Sequence, residues 1–150
     1  MCLGNICRSP AAEEVFSRMA ARAGLEARAD SAGTSNWHIG SEPYGPMQKA
    51  TRNRGYDLSG LRARQFQSSD FHDFDLIIGM DDANIADIES SRPPENVTAV
   101  RLFLEFAPEG PNTQIPDPYF TRDYEQALDL IEDAANGLVL ELAEKGGQHN

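Results

Sequence analysis

Cysteine is scarce in this chain. The two present, Cys2 and Cys7, both lie within the first seven of 150 residues. That placement excludes a structural disulfide between distant elements and leaves no spare thiol pair for zinc. The three histidines, His38, His72 and His149, show no metal-ligand spacing, so neither a metal nor a cofactor is expected. His72, within DFHDFD, reads as a loop residue beside two acids. No apolar run approaches membrane-spanning length, and the amino terminus lacks a charged-then-apolar signal segment. A cytoplasmic location without a membrane partner is the expectation. Basic residues are few, 13 against 24 acidic ones, and a net charge of -11 would repel a nucleic-acid backbone. Repeats, low-complexity segments and linkers are missing too, and at 40% hydrophobic content residues 1–150 read as one domain.

The charge that is present is uneven. Residues 1–64 hold nine basic and six acidic side chains, and residues 65–150 hold four and eighteen. Lys49, Arg52, Arg54, Arg62 and Arg64 fall close together, either to steer an anionic substrate or as a solvated face.

The densest chemistry lies in Met1-Cys2-Leu3-Gly4-Asn5-Ile6-Cys7-Arg8-Ser9-Pro10. Gly4 and Asn5 break the apolar residues between Cys2 and Arg8, which lets successive amides curl inward as an anion-binding nest. A Ser9 cap followed by Pro10 places a helix amino terminus directly behind that loop. Its partial positive charge attracts anions and lowers a nearby thiol's pKa from about 8.5. Arg8 supplies a planar fork for two phosphoryl oxygens, which a lysine cannot. Cys2 is thus the candidate nucleophile and Arg8 the clamp.

The remaining chain alternates helices and strands. Ala12, Val15, Phe16, Met19, Ala20 and Ala23 form a helical stripe from Ser9 to about Ala23, stopped by Gly24. A weak strand is expected over 26–31, turns over 33–45 and a helix over 46–54. DLIIGM at 75–80 reads as a buried strand, 82–90 as a helix ending before Arg92-Pro93-Pro94, and 97–104 as another strand. Tyr124, Leu128, Ile131, Leu138 and Leu142 mark a long acidic closing helix over about 122–145. Such alternation implies an α/β fold on a parallel sheet, with ligands at the carboxyl ends of the strands.

The string CLGNICRSP resembles the signature of the low-molecular-weight protein tyrosine phosphatases. The resemblance implies a three-layer sandwich around a central parallel four-stranded sheet. In that family an apolar strand runs straight into the nucleophilic cysteine, whereas here only Met1 precedes Cys2, so the first strand is expected to be truncated. It further implies phosphate binding by Leu3, Gly4, Asn5, Ile6, Cys7, Arg8 and Ser9, bracing by Asn5, Ser9 and Ser31, and a cysteinyl-phosphate intermediate. Ile115-Pro116-Asp117-Pro118-Tyr119-Phe120 holds an aspartate stiffly between two prolines. Alone it would be read as a turn, but beside the amino-terminal loop it resembles the family's general-acid loop, with Tyr119 and Phe120 as pocket walls. Trp37, in SAGTSNWHIG, matches the variable recognition loop, where an aromatic would stack on a phenyl ring. Cys7 is either a small packed apolar group or, as the family implies, a thiol that traps oxidised Cys2 as a disulfide.

Phosphotyrosine-containing proteins or small aryl phosphates are the implied partners, with the chain monomeric or weakly self-associating. The same fold leaves three alternatives. A phosphoarginine phosphatase would be expected to carry threonine where Ile6 stands, and a thioredoxin-linked arsenate reductase needs cysteines beyond Cys7. The third is a non-catalytic phosphate-binding remnant.

Overall fold

The computed structural model describes residues 1–2, 4–107 and 115–148, without the side chains of Tyr119, Phe120 and 146–148. Leu3 lies outside the described residues, as do 108–114. Its elements run α1 (Arg8–Arg22), α2 (Gly45–Arg52), α3 (Asp70–Asp73), β1 (Leu76–Gly79), α4 (Asp82–Glu89) and β2 (Ala99–Leu102). A 3-10 turn (Phe103–Phe106), α5 (Pro118–Thr121) and α6 (Tyr124–Gln148) complete the order.

The helical stripes identified in the sequence become packing faces. Ala11, Ala12, Val15, Phe16 and Ala20 of α1 are buried in the same core cluster as Leu128, Ile131, Ala134, Ala135 and Leu138 of α6. α6 also rides against the 3-10 turn so closely that a Cβ on Gly137 would stand 1.6 Å from the Phe106 carbonyl oxygen. Only glycine permits that approach. Gly24 closes α1 at a φ of +70°, and Leu25 N–H donates back to the Ala20 carbonyl at 2.9 Å.

β1 and β2 pair in parallel, with Leu76 opposite Ala99 and Gly79 opposite Leu102. Side chains alternate across this short sheet: Leu76 and Ile78 pack on the α1–α6 core, and Ile77 joins Phe71 and Ile88 on the other side. Helices therefore cover both faces. The third expected strand at 97–104 ends at Leu102, where the chain tightens into the 3-10 turn.

Of the four expected strands, two are formed among the described residues, and the sheet's extension is carried by isolated parallel bridges, Cys2 to Gly33 and Gly33 to Gln65. Met1 and Cys2 sit where a strand would end. The Met1 ammonium donates to the Ile78 carbonyl at 2.7 Å, Met80 N–H donates to Met1 and Thr34 N–H donates to Cys2. Residues 26–31 stay irregular rather than forming the expected strand. Between Ala27–Ala32 and Asp75–Ile78 runs a cleft of about 770 Å³, floored by Ala12, Phe16 and Leu138.

Candidate active site

The loop from Cys2 to Arg8 curls over the amino end of α1, and the side chains of Cys2, Asn5, Ile6, Cys7 and Arg8 are almost fully enclosed. Cys2 and Cys7 are each 3% exposed, Asn5 and Arg8 each 2%. Asn5 takes a φ of +55°, a left-handed conformation that asparagine tolerates and that turns the loop inward. Its side chain is satisfied on both ends: Oδ1 accepts from Arg64 N–H at 2.9 Å, and Nδ2 donates to Ser9 Oγ at 2.9 Å and Ser31 Oγ at 3.0 Å. Ser9 Oγ lies 3.1 Å from Cys2 Sγ. Tyr44 N–H pins the far side by donating to the Ile6 carbonyl at 2.7 Å.

Ser9 is not the helix cap that its place before Pro10 suggests. α1 starts at Arg8, with Cys7 at the cap position, and no described side chain caps the helix. The Ser9 hydroxyl is engaged with Cys2 and Asn5 instead, so the first-turn amides are left to an anion. Gly4 gives His38 room: a Cβ there would meet the imidazole Cδ2 at 2.9 Å.

Arg8 ties the loop to the rest of the site. Nη1 donates to Asp81 Oδ2 at 2.7 Å and to the Ile115 carbonyl at 2.9 Å, and Nη2 donates to Asp117 Oδ2 at 3.3 Å. Its Nε is buried without a partner among the described residues. An orphaned buried donor in a native fold points to a ligand acceptor. Asp81 leaves β1 and caps α4, its Oδ1 accepting from Asn84 N–H at 2.8 Å. Ile115 N–H donates to the Met80 carbonyl, so the Asp117 loop hangs from the end of the same strand.

The sequence candidates fall as follows. Cys2, Gly4, Asn5, Ile6, Cys7, Arg8, Ser9, Ser31 and Asp117 converge through these contacts. Leu3 and the side chains of Tyr119 and Phe120 lie outside the described residues. Trp37 stands 71% exposed, with Ile39 also exposed beside it. Both cysteines are free thiols, and burial, reinforced by the Asp117 and Cys2 charges, pushes the Cys7 thiol far above its ordinary range. Burial lowers the Met1 ammonium to about 6 against the opposing pull of Cys2.

Three of the five residues in the basic cluster are ion-paired. Arg54 pairs with Glu125, Asp129 and Glu132 of α6, Arg62 with Glu42, and Arg64 with Asp30 and Asp70. These acids neutralise three of the five positive charges.

The family model for low molecular weight phosphotyrosine protein phosphatase matches residues 1–148. The chain belongs to this family. It is 40% identical over 141 residues to the low molecular weight protein-tyrosine-phosphatase YfkJ of Bacillus subtilis, covering 93% of this chain and 90% of that one. The low molecular weight phosphotyrosine protein phosphatase of Schizosaccharomyces pombe is 42% identical over 123 residues, 80% of this chain and 78% of the relative. Among solved structures, that of YfkJ superposes with a TM-score of 0.91 at 38% identity, covering 96% of this chain and 92% of that one. The protein tyrosine phosphatase of Entamoeba histolytica, with Hepes in its active site, gives 0.90 at 35% identity, covering 97% and 95%.

In this low molecular weight phosphatase, sequence reasoning missed three contributors to the site: Asp81, Tyr44 and Glu13. Asp81 carried a readable signal, an aspartate at the carboxyl end of the apolar strand and directly before a helix. Tyr44 acts through its backbone, which no residue type announces. Glu13 accepts from Ser31 Oγ at 2.7 Å, a partner 18 residues away.

Proposed function

We propose that the chain is a protein-tyrosine phosphatase that hydrolyses phosphotyrosine monoesters through a cysteinyl-phosphate on Cys2. The observation that carries this reading is Arg8, buried to 2% with an orphaned Nε beside an uncapped helix terminus and the Cys2 sulfur. A phosphoryl dianion satisfies each of these at once.

Cys2 thiolate attacks phosphorus in line, forming the S–P bond as the P–O bond to the phenol breaks. Loop amides and Arg8 hold the equatorial oxygens, and protonated Asp117 gives its proton to the departing phenolate. Asp117, now ionised, takes a proton from the attacking water, the S–P bond breaks and inorganic phosphate leaves. Ser9 Oγ, in contact with Cys2 Sγ, donates to the thiolate as it departs. The Arg8–Asp117 contact is the longest of the three that Arg8 makes to named acceptors, so incoming phosphate displaces Asp117 more readily than Asp81.

Trp37 offers an aromatic face to the phenyl ring, and the substrates are phosphotyrosine proteins or small aryl phosphates. Ile6 in the loop and an aromatic at Trp37 favour this over phosphoarginine. The chain acts as one cytoplasmic domain, monomeric or weakly self-associating, without metal or cofactor. Its sheet is a four-stranded one, with the parallel bridges at Cys2, Gly33 and Gln65 continuing it beyond β1 and β2. Under peroxide, Cys2 is oxidised to the sulfenic acid, and the Cys7 thiol condenses with it to a disulfide with loss of water.

Hydrolysis of para-nitrophenyl phosphate by the parent, lost in Cys2→Ser, is the expected result. Equal turnover in both would overturn the assignment, and no turnover in either would favour a phosphate-binding remnant.

A further inference from the structure

The hydrogen bonds behind the phosphate loop have a definite direction. Asn5 Oδ1 is occupied by the Arg64 amide, so the Asn5 amide group presents its two hydrogens to Ser9 Oγ and Ser31 Oγ. Each serine thus accepts from Asn5 and must place its own hydrogen elsewhere. Ser31 places its hydrogen on Glu13 Oε1 at 2.7 Å. Ser9 is left with Cys2 Sγ at 3.1 Å.

We infer that Glu13 is a positioning residue for the reaction: by accepting from Ser31 it fixes the Ser31–Asn5–Ser9 relay that aims a hydroxyl hydrogen at the Cys2 sulfur. This rests on the reading of Cys2 as the nucleophile. Without the Glu13 acceptor, the Ser31 hydroxyl turns and competes for other partners, and Asn5 loses one of the anchors that hold its left-handed backbone. The relay operates through an acceptor oxygen and does not require a charge. Asp30 and Glu14 are the charged neighbours of Glu13. Asp30 is itself paired with Arg64 and Glu14 with Arg18. Burial and these acids hold the Glu13 carboxyl above its usual range, which shows that the group keeps this site against its own solvation preference.

Glu13→Ala, Glu13→Gln and Ser31→Ala test the inference. The readout is the pH dependence of Cys2 alkylation by iodoacetamide, mapped by peptide mass, together with kcat and Tm. Loss of one hydrogen bond to a thiolate corresponds to about tenfold. Glu13→Ala and Ser31→Ala should therefore slow alkylation about tenfold near pH 6 and move its midpoint upward, with parent rates regained at high pH. Glu13→Gln, which keeps an acceptor oxygen, should follow the parent in alkylation profile and kcat. A parent-like profile and kcat in Glu13→Ala would overturn the inference. So would a Glu13→Gln variant as impaired as Glu13→Ala. If Glu13→Ala does not fold, Ser31→Ala decides the matter by the same criteria. Alkylation of the parent at a residue other than Cys2, with turnover retained, would instead sink the nucleophile assignment on which the relay depends.

Discussion

Asp81 offers the cleanest perturbation of the phosphate clamp, because one carboxylate performs two separable tasks. Oδ2 receives Arg8 Nη1 at 2.7 Å and Oδ1 caps α4 through Asn84. Asparagine caps a helix about as well as aspartate, but it has one acceptor oxygen, so Asp81→Asn keeps the cap only by turning its NH2 group toward Arg8 and losing that hydrogen bond. A hydrogen bond to a charged partner contributes about 1.5–3 kcal/mol, and the lower end, about 1.5 kcal/mol, sets the loss here. Arg8 keeps the Ile115 carbonyl and the longer Asp117 contact, so the full cost of about 3–5 kcal/mol for stranding a buried charge is not reached. For a domain of this size that loss lowers Tm by about 3–6 °C. Asp81→Ala also loses the cap, at about 1 kcal/mol more. The looser guanidinium should weaken phosphate binding, giving about a tenfold fall in kcat/KM that appears mainly in KM. Thermal denaturation followed by circular dichroism, with para-nitrophenyl phosphate kinetics, measures both. Parent-like Tm and kinetics in Asp81→Ala would refute the view that Asp81 holds Arg8.

Glu13 also gives a pH signature for stability. Its folded carboxyl lies above the unfolded value, so the native state binds the extra proton. That contribution is fully present below the unfolded pKa and is lost as pH rises through the folded one. Glu13→Gln should therefore gain Tm on the parent at neutral pH, with the gap closing on acidification below about pH 4.5. A gap that widens in acid would contradict the sign. For the redox reading, peroxide inactivation should reverse with dithiothreitol in the parent but not in Cys7→Ser, since only the parent can shelter Cys2 as a disulfide. Equal recovery in both would remove Cys7 from that role.

What could be read from the sequence was local. The α1 stripe, its Gly24 stop, the apolar LIIG strand and the Cys2-to-Arg8 spacing are encoded within a few turns of chain, and each appears close to its expected place. The cap was misassigned because a serine before a proline reads as a helix cap, whereas Ser9 answers to Cys2 and Asn5. The strand at 26–31 failed for a tertiary reason: a strand needs a neighbour, and among the described residues no strand lies beside it. Arg54 and Arg64 looked like free charge because their partners, Glu132 and Asp30, lie 78 and 34 residues away. Asp117 was reached through the resemblance of its loop to the family's general-acid loop, since its Pro-Asp-Pro setting alone reads as a turn; its link to Arg8 spans 109 residues, and spacing alone cannot encode such a contact.

The central claim, a phosphoryl group carried on Cys2, is tested most directly in Asp117→Asn. Para-nitrophenolate leaves without needing a proton, so the S–P bond still forms, while the water that should break it has lost its base. Rapid acid quench and peptide mass mapping should find phosphate on the peptide that contains Cys2, and the adduct should be missing when Cys2→Ser is added. Sustained turnover with no phosphopeptide, or phosphate mapped to another residue, would contradict the account.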